Sequence, residues 1–401
     1  MMRRIYNVLI VANPYDAFML EDDGRVEEKI YNEYMELGLR YPPTFTQVST
    51  TEEAAKVLST VDIDLVICMP GNADNDAFDV ARAVKAEFPG IHCVVLTPFS
   101  HGITQRIQHE DLSIFDYVFC WLGNTNLILS IIKLMEDKMN IDHDIREVGV
   151  QMILLVEDSI RFYSSILPNL YGYILTQSRN FATEALTRHD ASLRQRGRPK
   201  VVLARTYDEA WEIYQRYKDN CLGVISDVRF PINNNVERKE KTSAKDPEAG
   251  LKLLRAIRKE DEYLPLIIES SEGDNRKKAE AEGFRFVDKN SKKMSVDLRH
   301  LLEEHMGFGD FIFRDPTTHE EVMRIHSLKE LQDNIFKIPR DSMLYHVSRN
   351  HVSRWLTARA IFPVSTFLKG ITWHKLQDVD MHRQIIFDAI VAYRRMRNVG
   401  V

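Results

Sequence analysis

The chain has 401 residues, of which 44% are hydrophobic and 28% are charged, and its formal net charge is −6 at pH 7. This length predicts two or three domains, and the composition is typical of a soluble globular protein. No stretch approaches the ~20 apolar residues of a membrane helix, and polar residues interrupt the amino terminus too early for a signal peptide. We therefore expect a cytoplasmic protein without a membrane partner.

The four cysteines lie far apart, each within an apolar stretch, at positions 68, 93, 120 and 221. This arrangement matches neither a disulfide framework nor the spacing of a zinc site. Buried free thiols in a reducing compartment are the expected state of these side chains.

The first 140 residues alternate short apolar runs with amphipathic segments. The runs predicted to form strands are 7–12, 64–68, 91–97 and 115–121, and the segments predicted to form helices are 24–38, 51–60, 76–87 and 124–138. Such alternation is typical of βα units around a parallel sheet, so we predict one α/β domain over 1–140. The polar segment 138–151 lacks sustained periodicity and is predicted to be a linker.

The same alternation starts again after the predicted linker and indicates a second domain over 150–305. Its predicted strands are 152–156, 200–204, 222–226, 264–268 and 284–288, and its predicted helices are 159–190, 208–218, 248–259, 274–282 and 293–305. Five strands in this order predict a doubly wound parallel sheet, with the functional site at the carboxyl ends of the strands. The two domains resemble a degenerate internal duplication.

The pattern changes after residue 306, and 306–401 is predicted to be mainly α-helical, with a glycine-bearing turn first and a final helix from Asp380 to Arg397. From Arg340 onward the chain has ten Lys or Arg residues against four Asp residues. A basic end on an otherwise acidic chain suggests either docking within the protein or an anionic partner.

Polar side chains follow the strands of the second domain at the points where the sheet ends. Glu157 and Asp158 follow the first strand, Asp227 the third, Ser270 the fourth and Lys289 the fifth. Three carboxylates at one edge of a sheet repel one another, and a hard divalent cation such as Mg²⁺ removes this repulsion. With Lys289 beside them, the carboxylates suit phosphoryl transfer, in which Asp227 is the nucleophile.

Four motifs of the second domain resemble the receiver domain of two-component response regulators. They are VEDS at 156–159, SDVRFP at 226–231, LPLIIESS at 264–271 and FVDK at 286–289. The resemblance implies a flavodoxin-like fold and a phosphorelay function in which a phosphohistidine donor, a histidine kinase or a phosphotransfer protein, supplies the phosphoryl group.

The resemblance also implies a role for each matching residue. Asp227 matches the phosphoacceptor, and Glu157 and Asp158 match the acidic pair that holds Mg²⁺. The backbone carbonyl of Arg229 matches a further metal ligand. The remaining matches are to the switch hydroxyl, the coupled aromatic residue and the lysine of the site, and they are Ser270, Phe286 and Lys289.

Two features depart from the receiver pattern. Asn290 stands where a proline usually follows the lysine, and the charged segment 232–249 is an insertion beside the site. The insertion could gate access to Asp227 or be a simple surface loop. A receiver fold that is never phosphorylated, acting as a passive scaffold, also fits the sequence.

The first domain lacks the charged groups of the second. Aligning the strands puts Ala12 and Asn13 at the acid pair and Met69 at the acceptor, and it puts Cys120 or Trp121 at the lysine. Thr97 remains at the switch hydroxyl. This domain therefore resembles a pseudo-receiver that serves as a binding or dimerisation surface, and a homodimer is one possible assembly.

Two alternatives concern the helical end. A response-regulator transcription factor would bind DNA there, and Arg349, Arg354 and Arg359 could contact phosphates. His346 and His351 are five residues apart, whereas a zinc pair on one helical face prefers a spacing of four, so a zinc site is weakly indicated. A phosphorylatable histidine is a further option.

The stretch from FGDFIFRD, which ends at Asp315, through IPRDSMLYHVSRNHVSRWLTARAIFP at 338–363 is similar to part of phosphoenolpyruvate synthase and pyruvate phosphate dikinase-like proteins. The similarity implies that the whole chain is the amino-terminal regulatory part of such a protein and that catalytic domains follow in the same polypeptide. The chain contains no glycine-rich ATP loop and no swivelling-domain histidine motif. We therefore expect that this chain alone is not an enzyme.

Overall fold

The computed structural model describes residues 2–21, 25–70, 77–98, 114–185, 187–233, 245–376 and 378–398. These residues form two compact units. The first contains Met1–Asn140 and Glu157–Gly172, and the second contains Ile141–Val156 and most of the chain from Tyr173 onward. Within the described ranges, no helix combines the length and the apolar character that crossing a membrane requires.

The first unit is built on a five-stranded parallel sheet in the order β2-β1-β3-β4-β5. Its strands are β1 (Asn7–Val11), β2 (Thr44–Val48), β3 (Leu65–Cys68), β4 (His92–Pro98) and β5 (Tyr117–Trp121). Its helices are α1 (Pro14–Glu21), α2 (Val26–Glu36), α3 (Thr51–Thr60), α4 (Ala77–Glu87) and the first part of α5 (Asn126–Val148). The central strands β1 and β3 are buried on both faces, which explains their continuous apolar runs.

Two elements of this region differ from the prediction. Strand β2 was not predicted, because it lies at the sheet edge and Val48 is its single buried residue. The predicted linker 138–151 was wrong for most of its length, since α5 continues to Val148. The helical turns there bury polar side chains: the Asn140 side chain accepts hydrogen bonds from the backbone nitrogens of Met2 and Arg3 at 2.7 and 2.8 Å. Such turns show no apolar periodicity in the sequence.

The second unit contains another five-stranded parallel sheet, in the order β10-β9-β8-β6-β7. Its strands are β6 (Met152–Val156), β7 (Lys200–Ala204), β8 (Cys221–Asp227), β9 (Leu266–Ser270) and β10 (Arg285–Asp288). The associated helices are α6 (Ile160–Thr183), α7 (Arg188–Arg196), α8 (Tyr207–Tyr217), α9 (Ala249–Glu260), α10 (Asp274–Ala281) and α11 (Met294–His305). Both sheets have the flavodoxin-like strand order, which confirms the predicted fold class.

Strand β9 begins two residues later than predicted, at Leu266. Pro265 has no backbone N–H to donate to a sheet ladder, although its carbonyl oxygen accepts a hydrogen bond from Val224 at 3.0 Å. Ser270 is consequently the last residue of the strand and does not follow it.

The remainder of the second unit is mainly helical, as predicted, and has its own hydrophobic core. Its helices are α12 (Leu328–Asn334), α13 (Arg340–Ser348), α14 (His351–Ala358), α15 (Phe362–Lys369) and α16 (Val379–Asn398). An antiparallel hairpin of β11 (Phe311–Arg314) and β12 (Glu321–Ile325) precedes them, where the prediction of a turn leading into a helix was wrong. Phe311 and Phe313 alternate into the core, which favours a strand over a helix.

Candidate functional site

The candidate site begins with Asp227, the last residue of β8, which is the middle strand of the second sheet. Residues Cys221–Ser226 of this strand are buried, whereas Asp227 itself is partly exposed. Because the neighbouring strands β6 and β9 run parallel to β8, the residues at their carboxyl ends lie at the same edge of the sheet.

Two further carboxylates lie beside Asp227. Glu157 and Asp158 continue the backbone of β6 directly after Val156, so the position of this strand in the sheet fixes them. One carboxylate oxygen each from Glu157, Asp158 and Asp227 lies within 4.8 Å of the others. Glu157 is fully buried and accepts a hydrogen bond from the backbone nitrogen of Ser159 at 2.9 Å, which holds its carboxylate in place.

Lys289 supplies the positive charge of the site. It follows β10, and its Nζ lies 2.7 Å from Oδ1 of Asp227, with the lysine side chain almost completely buried. Its backbone nitrogen donates to the carbonyl oxygen of Ser270 at 3.0 Å. The ammonium group offsets part of the negative charge that the three carboxylates bring together.

The Ser270 hydroxyl is held by neighbours that the sequence reasoning did not identify. It accepts hydrogen bonds from Nδ2 of Asn275 at 3.0 Å and from the backbone nitrogen of Glu272 at 3.1 Å. Asn275 is buried in the first turn of α10. Its position five residues after Ser270 could have suggested the contact, but the polar residues around it gave no signal that separates it from a surface side chain.

The other predicted site residues lie around this centre. Arg229 is exposed, and its backbone nitrogen donates to Oδ2 of Asp227 at 3.3 Å. Phe286 lies half-buried in β10 with the guanidinium of Arg276 4.7 Å from the centre of its ring. Asn290, which departs from the receiver pattern, donates through its side chain to the carbonyl oxygen of Ser271 at 2.9 Å. This bond ties the loop after β10 to the loop after β9.

The donor set fits Mg²⁺. This ion prefers oxygen ligands, and one oxygen from each of the three carboxylates lies within 4.8 Å of the others. Among the described residues, no other group of three His, Cys, Asp or Glu side chains comes together in this way.

Most of the insertion 232–249 lies outside the described residues. Its described end contains Asp246, which forms an antiparallel bridge with Phe230 and an ion pair of 2.5 Å with Lys252. The end of the insertion is therefore paired with Phe230, which is close in sequence to Asp227. Whether the insertion gates access to Asp227 stays a prediction.

Gly250, at the start of α9, packs directly on the backbone of Asp227. A Cβ atom at this position would overlap the carbonyl oxygen of Asp227 and lie 2.9 Å from its carbonyl carbon. The Gly250 backbone nitrogen donates to the carbonyl oxygen of Val228 at 3.0 Å. The Ser226 hydroxyl donates to the carbonyl oxygen of Asp227 at 2.8 Å. The absence of a side chain at Gly250 thus sets the position of the backbone at Asp227.

We expect Gly250→Ala to lower the free energy of unfolding by about 1–3 kcal/mol in urea titrations, because either α9 or the Asp227 backbone must move. Gly172→Ala is the matched control, since Gly172 also lies in a helix but has no atom within 4 Å of its added Cβ. The control should be neutral or stabilising by up to about 1 kcal/mol. Equal effects of the two substitutions would contradict the proposed packing constraint.

The strand registers show which residues of the first sheet correspond to the site. Val11 is paired with Cys68 as Val156 is paired with Ser226, so Ala12, Asn13 and Met69 correspond to Glu157, Asp158 and Asp227. Thr97 is paired with Cys120 as Ser270 is paired with Asp288, so Trp121 corresponds to Lys289. The first sheet therefore presents none of the four charged groups at the corresponding positions.

The basic and histidine side chains of the helical end are largely committed to internal contacts. Arg359 is 2% exposed and donates to the carbonyl oxygens of Gly307 and Gly309 at 2.7 and 2.8 Å. It therefore cannot reach a DNA phosphate in this structure. His346 is also buried, and its Nε2 accepts a hydrogen bond from the backbone nitrogen of Arg314 at 2.9 Å. This bond occupies one of the two ring nitrogens that could carry a phosphoryl group.

Neither protein-family models nor curated proteins match this chain. Among solved structures, it is similar to the signal receiver domain of a Vibrio parahaemolyticus protein described as a Luxo repressor, at 14% identity and a TM-score of 0.24, over 36% of this chain and 98% of that one. It is also similar to two proteins described as two-component system response regulator/GGDEF domain proteins. Their identities are 14% and 13% and their TM-scores 0.29 and 0.30, each over 74% of this chain and 98% of the other. At these scores the fold assignment rests on the strand order and register of the two sheets.

Proposed function

We propose that residues 150–305 form a receiver of a phosphorelay and that Asp227 accepts its phosphoryl group. One observation carries the proposal: three carboxylates and one ammonium group converge at the carboxyl edge of a flavodoxin-like sheet. A cluster of this kind is costly unless it binds cations, and of its two partly exposed carboxylates Asp227 is the one that Lys289 contacts, which makes it the proposed nucleophile.

The transfer forms one bond and breaks another at phosphorus. A carboxylate oxygen of Asp227 attacks the phosphorus, and the bond from phosphorus to the donor nitrogen of a phosphohistidine breaks, so the electron pair stays with the imidazole. Lys289, 2.7 Å from the Asp227 carboxylate, neutralises charge that accumulates on the phosphoryl oxygens. Glu157, Asp158, Asp227 and the backbone carbonyl of Arg229 would hold Mg²⁺, which when bound offsets the negative charge of the phosphoryl group.

Phosphorylation is expected to act through Ser270 and Phe286. The phosphoryl oxygens are strong acceptors, and the Ser270 hydroxyl would donate to one of them. This change would weaken its contacts with Glu272, just before α10, and with Asn275 in the first turn of α10. The ring of Phe286, which packs against the guanidinium of Arg276 in α10, would then change its position together with the Ser270 hydroxyl. The α10 surface would consequently be the part of the receiver that signals.

The domain organisation is a proposal of the same kind. We propose three domains, a pseudo-receiver over 1–140, a receiver over 150–305 and a helical region over 306–401. The pseudo-receiver would be a binding or dimerisation surface, because it lacks the charged groups of the site. A position before the catalytic domains of a phosphoenolpyruvate synthase-like protein stays a prediction, which the reading frame downstream of Val401 tests.

Acetyl phosphate tests the proposed function. We expect incubation with acetyl phosphate and Mg²⁺ to add the mass of one phosphoryl group, measured on the intact protein, and we expect EDTA to prevent it. Asp227→Ala should show no adduct, whereas the control Asp219→Asn, an exposed acid on the same unit, should react like the native chain. No adduct on the native protein, or an equal adduct on Asp227→Ala, would contradict the proposal.

A further inference from the structure

A cavity of about 640 Å³ lies in the second unit at the opposite edge of the same sheet from Asp227. Its wall includes Leu264–Leu266, which lead into β9, and Arg285, the first residue of β10. The end of α11, strand β11 and helices α13 and α14 complete the lining. The cavity is separate from the Asp227 site, because the whole length of strands β9 and β10 lies between them.

Four arginines that line the cavity form no ion pair with a carboxylate among the described residues, although the charge of Asp261 acts at longer range on two of them, Arg258 and Arg354. Within the described part of the chain, no Asp or Glu oxygen lies within 4.0 Å of a guanidinium nitrogen of the following residues: Arg258, Arg285, Arg349 and Arg354. The fifth arginine of the wall, Arg314, is paired with Glu304 at 3.2 Å. Arginines gathered around one concave space without acidic partners are typical of sites for phosphate or carboxylate ligands.

The carboxylates of the wall have other partners. Glu303 accepts a hydrogen bond from the Tyr173 hydroxyl at 3.1 Å. Asp310 lies 2.9 Å from His326 and 3.4 Å from Arg324, neither of which lines the cavity. Glu262 is exposed. Asp261 and Glu262 act on Arg258, and Asp261 on Arg354, so Arg285 and Arg349 are the arginines of the wall on which the acidic groups have the least hold.

Two of the arginines are held in place by aromatic residues of the wall. The Arg349 guanidinium lies 4.1 Å from the ring centre of Tyr345 and 5.4 Å from that of Tyr263. Arg354 donates to the backbone carbonyl of Tyr263 at 2.9 Å. Arginines that are already positioned lose less conformational entropy when they bind a ligand.

Burial first, and the nearby arginines second, lower the pKa of two histidines of the wall, His305 and His346. Burial, and after it the charge of Arg285, lowers the pKa of His305 to about 4. Burial, with Arg314 and Arg349, lowers the pKa of His346 to about 4. His346 accepts at Nε2, so its proton is on Nδ1, which donates to Nδ1 of His351 at 3.0 Å. The remaining proton of His351 is then on Nε2 and is available as a further donor.

We propose that this cavity binds a small organic phosphate, with the phosphate group held by Arg285, Arg349 and Arg354. The volume is within the range of sites for small organic molecules, about 300–1,000 Å³, and far exceeds the space that a lone phosphate ion fills. The arginines supply paired donors for phosphate oxygens, and the aromatic and histidine side chains contact the organic part.

Calorimetric titration of the full chain in EDTA tests this site with three probes: AMP, ribose 5-phosphate and inorganic phosphate. We expect AMP or ribose 5-phosphate to bind with a Kd below about 1 mM and more tightly than inorganic phosphate. The double variant Arg285→Gln, Arg349→Gln should bind at least about tenfold more weakly. Both side chains are at least partly exposed, so the fold should be kept, and an unchanged melting temperature without ligand checks this.

Two control variants make the test specific. Arg196→Gln removes an exposed positive charge that does not line the cavity, and Asp227→Ala removes the proposed phosphoacceptor. Both should bind the probes within about twofold of the native chain. Citrate, a polyanion without phosphate, should not compete. Absence of binding by all three probes, equal binding by the arginine double variant, or equal binding of citrate would overturn the proposal.

Discussion

Converting Glu157 to Gln and Asp158 to Asn together should weaken Mg²⁺ binding by at least about 100-fold and prevent phosphorylation by acetyl phosphate at physiological Mg²⁺ concentrations. The two substitutions remove two of the three carboxylates that lie within 4.8 Å of one another. The remaining carboxylate, Asp227, already forms an ion pair with Lys289. One neutralised carboxylate is a poor site for a hard divalent cation, so the phosphoryl charge would be left without its main compensation.

Calorimetric titration with Mg²⁺ measures the loss, and the mass of the intact protein measures phosphorylation. The matched control is Glu212→Gln with Asp219→Asn, which removes the same charge from two exposed positions of the same unit. The control should bind Mg²⁺ within about twofold of the native chain, because exposed charges at a distance are largely screened. If the two double variants bind Mg²⁺ equally well, the acidic cluster is not the metal site.

Replacing Lys200 by Met should destabilise the second unit by about 3–5 kcal/mol at pH 7. Lys200 begins β7, and its Nζ lies 3.0 Å from Oδ2 of Asp144 in α5, with both side chains 1% exposed. The substitution removes the lysine and leaves a charged carboxylate in a buried position. Urea unfolding followed by tryptophan fluorescence measures the change, since three of the four tryptophans, Trp211, Trp355 and Trp373, belong to this unit.

The destabilisation should become smaller as the pH falls from 7 to about 4. Burial alone raises the pKa of Asp144, but Lys200 and the hydrogen bonds to the carboxylate outweigh it, so the folded pKa is lowered. The native ion pair therefore contributes stability above the pKa of the unfolded chain, and this contribution is lost as the pH falls through the folded pKa. Without Lys200, burial is the main influence on the Asp144 carboxyl and raises its pKa. Acid therefore stabilises the folded variant, and the difference in free energy of unfolding between the variant and the native chain becomes smaller.

An exposed ion pair on the same helix is the control. Arg216 lies 2.8 Å from Asp142, and both side chains are about 60% exposed. Arg216→Gln should change the free energy of unfolding by less than about 0.5 kcal/mol. A Lys200→Met variant as stable as Arg216→Gln at pH 7 would contradict the account of this buried pair.

The convergence of the site could be predicted from sequence because it follows from topology. When five strands run parallel, their carboxyl ends meet, so Glu157, Asp227 and Lys289 had to lie near one edge once the strands were identified. The contacts that constrain the site depend on how helices pack on this edge. The bond from Asn275 to Ser270 and the close approach of Gly250 to Asp227 arise from such packing, which periodicity does not encode.

The elements that the sequence did not predict share a physical cause. Strand β2 is an edge strand with a single buried residue, and the last turns of α5 bury polar groups such as Asn140 instead of apolar ones. In both places the alternation of apolar and polar residues, which is the main signal of secondary structure, is absent. Tertiary contacts decide the conformation there, and these contacts come from residues distant in the sequence.

The cavity at the other edge of the sheet was not predicted either. Arg258 lies in α9, Arg285 in β10 and Arg349 between α13 and α14, and in the sequence each looks like an ordinary surface charge. The basic character of the helical end did suggest an anionic partner. In the structure two arginines of this end, Arg349 and Arg354, line the same cavity as Arg285 of β10.

Borohydride reduction of the acetyl phosphate-treated protein tests the central claim most directly, because the reagent converts an aspartyl phosphate into homoserine. Peptide sequencing by mass spectrometry should find homoserine at position 227, dependent on Mg²⁺, and aspartate at 158 and 288. Homoserine at another acidic residue, or unmodified Asp227 in a protein that carries a phosphoryl group, would show that a different side chain accepts the phosphate.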